Sequence, residues 1–190
     1  MATQDSRIKI KRSTITATVP TVPSSNDHTD GTWISTDIYK GELFFNQADG
    51  VLWSRDDNGV TCLGGSASLT IASADVLTLN STPITIVGAV AGYAIEVVSA
   101  SVKIDFNTTA YATNTFIQLI VNGATTAQYG GGILNATVAT TKKLPEISTT
   151  SSTTTQLITN AALQVSTLIG NPTAGDSDIT VYVNYRLIPA

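Results

Sequence analysis

One histidine and one cysteine among 190 residues set a narrow limit on what this chain can catalyse. A Ser-His-Asp or Cys-His nucleophile would have to be built on His28, and the base in such a site must be held rigidly by a third group. His28 lies in the polar stretch SSNDHTDG, with no apolar wall to shift its pKa, and reads as a solvated loop histidine. A usual zinc site takes more N and S ligands than His28 and Cys62 supply within one chain. Oxygen ligands for calcium are offered by Asp56, Asp57 and Asn58, or by Asp176 and Asp178. The first group sits at a hairpin tip and the second at a strand entrance, where Asp and Asn are enriched for turn chemistry alone. Glycoside hydrolysis needs two carboxyl groups facing one sugar-sized cleft. Glu96, Asp105 and Glu146 lie away from turns, but Asp105 falls on the wet side of its strand and Glu96 near a strand start. The expectation is no catalytic residue, no metal and no cofactor.

One charged feature implies a partner. Arg7, Lys9, Lys11 and Arg12 place four cations within six residues, alternating with Ile8 and Ile10. Cations so spaced can contact phosphates, yet the formal net charge is −4 and no aromatic residue interleaves with them as in single-strand binders. An acidic protein surface fits better, reached by adding a strand to a neighbour's sheet edge. The alternative is a first strand paired inside its own domain. The alternation changes phase at Arg12 and Ser13, which implies a bulge or break. Pro20 and Pro23 then end any central strand.

The elements behind these residues read as strands. Charged residues are 13% of the chain, against about 25% in an average soluble domain. Its 31 Thr and 17 Ser supply the polar surface instead, and the branched Thr side chain suits a pleated sheet. From Thr32 to Gly65 a meander is expected: GELFFN, VLWSR and VTCLGG, joined at Asp49-Gly50 and Asn58-Gly59. Both dipeptides favour type I′ hairpin turns. A sheet this small has one face to bury internally, so some of Trp33, Phe44, Phe45 and Trp53 are expected to meet another subunit or the next domain.

From Ser66 onward roughly eight strands are expected. SLTIA and VLTLN form an opening pair, and ITIV follows. In AIEVVSASVKIDF, Val98, Ala100, Val102, Ile104 and Phe106 share one face. Ile117, Leu119 and Val121 point inward before a turn at Asn122-Gly123. In the last strand Ile179, Val181, Val183, Tyr185 and Leu187 lie on one face. Only ALQVSTLIG has any helical argument, and its β-branched residues oppose it. Such a series points to a sandwich or jelly roll. The fold class is therefore all-β: a docking arm (1–30), a small N-terminal β-meander (31–65) and a C-terminal jelly-roll β-sandwich (66–190). The tract STTSSTTT at 148–155 is uninformative in either direction. No apolar run reaches the length of a secretion signal or a membrane span, so synthesis in a cytoplasm and no membrane partner are expected.

Two stretches resemble known material. RIKIKRSTITATVP with GELFFNQADGVLWSR resembles a short module near the N-terminus of many tailed-bacteriophage fibre and appendage proteins. VVSASVKIDFNTTAYATNTFIQLIVNGATTAQY with GNPTAGDSDITVYVNYRL is similar to a jelly-roll domain of tailed-phage structural proteins. The stretch from Ser66 to Gly88 matches neither. The resemblance transfers no catalytic residue. It implies a virion fibre, spike or decoration protein, usually homotrimeric, attached to capsid or other particle proteins by its N-terminal region. Head and tail locations are both open, as is an adhesin that recognises host-surface glycan. No nucleic-acid partner is expected.

Overall fold

The computed structural model describes residues 10–24, 34–121, 127–147 and 157–189. Arg7, Ile8, Lys9, His28, Trp33, the Asn122-Gly123 turn and the STTSSTTT tract lie outside the described residues. The chain divides into two compact units, Met1–Gly65 and Ser66–Ala190.

In the first unit the strand order is β1 (Lys11–Ser13), β2 (Leu43–Asn46), β3 (Val51–Asp56) and β4, which begins at Gly59 and continues to Ile71. β2, β3 and β4 form the antiparallel meander, and β1 lies parallel to β2 with Lys11 opposite Phe44 and Arg12 opposite Phe45. β1 stops at Ser13, where the sequence changes phase. Both hairpins form, but neither uses the type I′ turn expected of it. Four residues, 47–50, separate Asn46 from Val51, with positive φ only at Gly50 (66°). In the second hairpin Asp56 pairs with Gly59, so the turn is Asp57-Asn58, and positive φ falls on Gly59 (124°). The Asp and Asn side chains decide both shapes by bonding local backbone rather than adopting left-handed φ. Asn46 Oδ1 accepts from Ala48 N at 3.0 Å and Asp56 Oδ1 from Asn58 N at 2.7 Å, while Asp49 Oδ2 ties the first turn to Ala17 N at 2.6 Å and to Asn46 Nδ2 at 2.7 Å.

Among its described residues the second unit has eight strands: the end of β4, then β5 (Ile84–Val87), β6 (Tyr93–Asp105), β7 (Phe116–Val121), β8 (Ala127–Gly132), β9 (Thr140–Leu144), β10 (Leu163–Thr167) and β11 (Asp178–Pro189). One sheet runs β4-β11-β6-β9 and the other β5-β10-β7-β8. Counted within the unit these orders are 1-8-3-6 and 2-7-4-5, the doubled Greek key of a jelly roll. The expected all-β fold is present, and ALQVSTLIG supplies strand β10 rather than a helix.

Alternation fills the space between the sheets. Ile179, Val181, Val183, Tyr185 and Leu187 of β11 are all buried, facing the same layer as Ile117, Leu119, Leu163 and Val165. Each such aliphatic side chain contributes about 1.5–3 kcal/mol relative to exposure.

Two expectations fail here. In β6 Val97 is 6% exposed and Val98 57%, because Asn184 pairs with Ser99 while Tyr185 pairs with Val97. Val98 is the extra residue of a β-bulge, which reverses the facing of every position before it. Phe106 lies beyond the strand end and is only half-buried. VLTLN is not a strand either: the short helix α1 (Ser73–Val76) and the turn after it bury Val76 and Leu79, three positions apart as one helical face requires.

Candidate functional site

The described end of the basic arm is built into the first unit. Lys11 Nζ donates to the carbonyl of Asp37 at 2.5 Å, pairs with Glu42 at 3.0 Å and sits 5.4 Å from the centre of the Tyr39 ring. Thr21 bridges Asp37 in parallel, and Asn46 Nδ2 reaches the carbonyls of Ile15 and Thr18. Lys11–Ser13 thus takes the second course open to it, a strand paired within its own unit. Ile10 and Arg12 remain exposed.

Three of the four rings expected at an interface are described. Phe44 and Trp53 pair directly across the β2–β3 hairpin, each 1% exposed, and Phe45 is half-buried. In the same unit Ile38 is fully buried, and Arg55 Nη1 donates to its carbonyl at 2.8 Å. Phe45 is therefore the ring of the three that keeps accessible surface.

The acidic residues are engaged singly. Asp56 closes its own turn, and Asp57 pairs with Lys40, whose hydrogen bond and charge hold the carboxyl below its ordinary range. Asp176 accepts from the backbone N–H groups of Thr108 (3.1 Å) and Thr109 (2.9 Å), from Asn107 Nδ2 (3.0 Å) and from the Thr108 hydroxyl. These donors, the Thr108 hydroxyl first, lower its pKa. Asp178 accepts from Ser73 N at 2.9 Å. Both candidate calcium groups hence direct their oxygens at N–H and O–H donors. Among the described residues no three His, Cys, Asp or Glu side chains gather as a metal donor set.

The acids considered for glycoside hydrolysis are likewise dispersed. Glu96 and Asp105 stand nine residues apart on one strand, roughly 30 Å at the usual rise, where paired catalytic carboxyls stand about 5–9.5 Å apart. Glu96 is bound by Arg186, whose hydrogen bond lowers its pKa, the reverse of what a general acid requires. Asp105 pairs with Lys103 at 2.6 Å, and Glu146 is exposed.

The loops 106–115 and 168–177 are fastened together at one end of the second unit. Tyr111, 2% exposed, donates its hydroxyl to the carbonyl of Ser177 at 2.6 Å, and burial pushes its pKa up to about 12. Gly175, at φ 91°, lies under that ring.

Sequence reasoning missed a sizeable concavity among the described residues. The outer face of the β4-β11-β6-β9 sheet carries an open groove of about 690 Å³ lined by Ser66, Ser68, Ser99, Ser101, Lys143, Tyr182 and Asn184. The paired registers Tyr182–Ser101 and Ser101–Lys143 set these three in one row, and Asn184–Ser99 form the next. The available signal was the recurrence of Ser at alternate positions, Ser66 and Ser68, then Ser99 and Ser101, opposite a strand that carries Tyr182 and Asn184.

No helix of the described residues is long and apolar enough to cross a membrane. No protein-family model matches the chain, and no curated protein matches it. Among solved structures, a chain of the cyanophage Pam1 capsid asymmetric unit is similar with a TM-score of 0.40 and 20% identity, over 66% of this chain and 86% of that one.

Proposed function

We propose that this protein is a structural component of a tailed-phage virion, a homotrimeric head fibre or decoration protein held to the particle through its N-terminal region and presenting the jelly roll outward. The observation that carries the reading is a jelly roll whose Glu96, Asp105, Asp176 and Asp178 are taken up in ion pairs and hydrogen bonds, under an exterior of Ser and Thr. Such a unit is suited to persistence rather than turnover, and on this reading it is not an enzyme. The resemblance of both halves to phage appendage and structural modules supports the same assignment. Trimerisation is supported by apolar side chains left on the single chain, including Ile169 (88% exposed) and Val138 (65%). Side chains of this kind are an association hazard unless a symmetric partner covers them.

Two experiments test the proposal. Light scattering on the purified chain is expected to give three copies, and a stable monomer would refute the oligomer. Attachment is tested with Arg7, Lys9 and Arg12 replaced by Glu, leaving the structural Lys11 in place. Particles grown with this variant are expected to lack the protein while its circular dichroism stays unchanged. Incorporation at wild-type level would refute docking by the arm.

A further inference from the structure

The groove on the outer sheet has a chemistry that the particle role does not use. Its floor is made of small residues on alternate positions of β4 and β6, so a ligand can approach the backbone of those two strands closely. Above that floor stand two larger groups. Tyr182 is 43% exposed on the central strand β11, and Lys143 is exposed on β9. Two strand spacings separate them, roughly 10 Å, about the length of two pyranose rings. Between them lie the hydroxyl of Ser101 and, one row along, the amide of Asn184, which donates to Ser99 Oγ at 3.0 Å and leaves its carbonyl oxygen free to accept.

The nearest charges on this face are already matched: Lys103 with Asp105, and Arg186 with Glu96. Lys143 has no ion-pair partner among the described residues and is the only charge lining the groove.

This constellation discriminates between ligand classes. A peptide that adds a strand needs a free sheet edge, and the groove lies on a face. A nucleic acid needs several cations along its backbone, and here there is one. A compact small molecule needs a pocket that encloses most of its surface, and this groove is open. A chain of sugar rings fits: one ring face lies on the tyrosine, hydroxyls exchange hydrogen bonds with Ser and Asn, and a carboxylate meets the lysine.

We propose that the outer-sheet groove binds an acidic polysaccharide, with a pyranose ring stacked on Tyr182 and a uronate carboxylate of the same chain paired with Lys143. The proposal goes beyond the particle role and does not depend on it. Tetragalacturonate, and the same oligosaccharide with its carboxyls methyl-esterified, are titrated calorimetrically into the full chain. The acid is expected to bind, and the ester to bind about threefold to fivefold more weakly, the loss of one exposed ion pair. Lys143→Ala brings the acid down to the affinity of the ester. Tyr182→Ala weakens both by about tenfold. Both side chains are exposed, so both variants are expected to fold, which circular dichroism checks. Absence of heat with tetragalacturonate, equal affinity for acid and ester, or binding untouched by Tyr182→Ala would each overturn the proposal.

Discussion

The joint between Tyr111 and Gly175 is the place where a single methyl group is expected to do most damage. A Cβ on Gly175 would lie 2.2 Å from Tyr111 Cδ1 and 2.4 Å from Cγ, where carbon atoms rest at about 3.5–4.0 Å. The ring cannot swing clear without leaving its bond to the Ser177 carbonyl, and at 2% exposure it has no open space to enter. Gly175 also holds φ 91°, which an L side chain adopts at a cost of about 1–3 kcal/mol. Overpacking adds about 1–3 kcal/mol. Gly175→Ala is therefore expected to lower stability by about 2–6 kcal/mol, a large share of the usual total for a domain. Urea unfolding at one fixed protein concentration measures it, followed by the near-ultraviolet circular dichroism of the tyrosines. Both tryptophans lie in the first unit, so this signal reports chiefly on the second. The same substitution in a Tyr111→Ala background separates the two causes, because only the backbone strain is left. A loss below about 0.5 kcal/mol for Gly175→Ala, or an equal loss in both backgrounds, would refute the account.

Tyr111 also predicts an alkaline weakness. Below pH 10 it is protonated in both folded and unfolded chains; between pH 10 and about 12 the unfolded chain loses the proton that the folded chain keeps, so stability declines as pH rises. The decline is about 2–3 kcal/mol at about 1.36 kcal/mol per pH unit; denaturant titrations from pH 9 to 12 should show it in the wild type and find it reduced in Tyr111→Phe. Asp176 predicts the opposite limb: its lowered pKa contributes stability above the ordinary carboxyl range that is lost as pH falls through the folded value, so Asp176→Asn should melt lower at neutral pH and show a shallower acid decline. The bulge in β6 predicts unequal valines: Val98→Thr should change stability by no more than about 0.5 kcal/mol, whereas Val97→Thr, burying a hydroxyl without a partner, should cost about 1–3 kcal/mol.

Those two valines mark the limit of what the sequence discloses. Where apolar and polar residues alternate strictly, as from Ile179 to Leu187, the inward face is legible without coordinates, because one residue of slip would expose all five side chains. At Glu96-Val97-Val98-Ser99 either valine can be the inward one, and the choice is made by the partner strand, which passes from Asn184 to Tyr185 without a residue opposite Val98. VLTLN misleads for a related reason, since Leu77 and Leu79 imitate a strand while the buried pair is Val76 and Leu79. The dispersal of the acids was legible, because turn residues announce themselves. The groove was not, because its lining joins residues from four strands that only the jelly-roll order brings side by side.

That order also constrains how three copies could meet. A trimer that covered the β4-β11-β6-β9 face would bury Lys143 without a carboxylate to meet it among the described residues, and burying an unpaired ammonium is costly. The apolar side chains outside the groove carry no such cost. Val138 and Ile169 lie in the loops 133–139 and 168–177, which the strand registers Ile104–Thr140 and Asp105–Asp178 bring to the same end of the sandwich. Both loops lack cations, and the acid Asp176 is already held by its Thr and Asn donors. Association through that end removes apolar surface from water without stranding a charge, and it leaves the hydroxyl-lined face open to solvent. Substituting Ile169 by Asp should then shift the chain toward monomer in light scattering while tetragalacturonate binding persists, and a trimer indifferent to a buried carboxylate at that position would place the interface elsewhere.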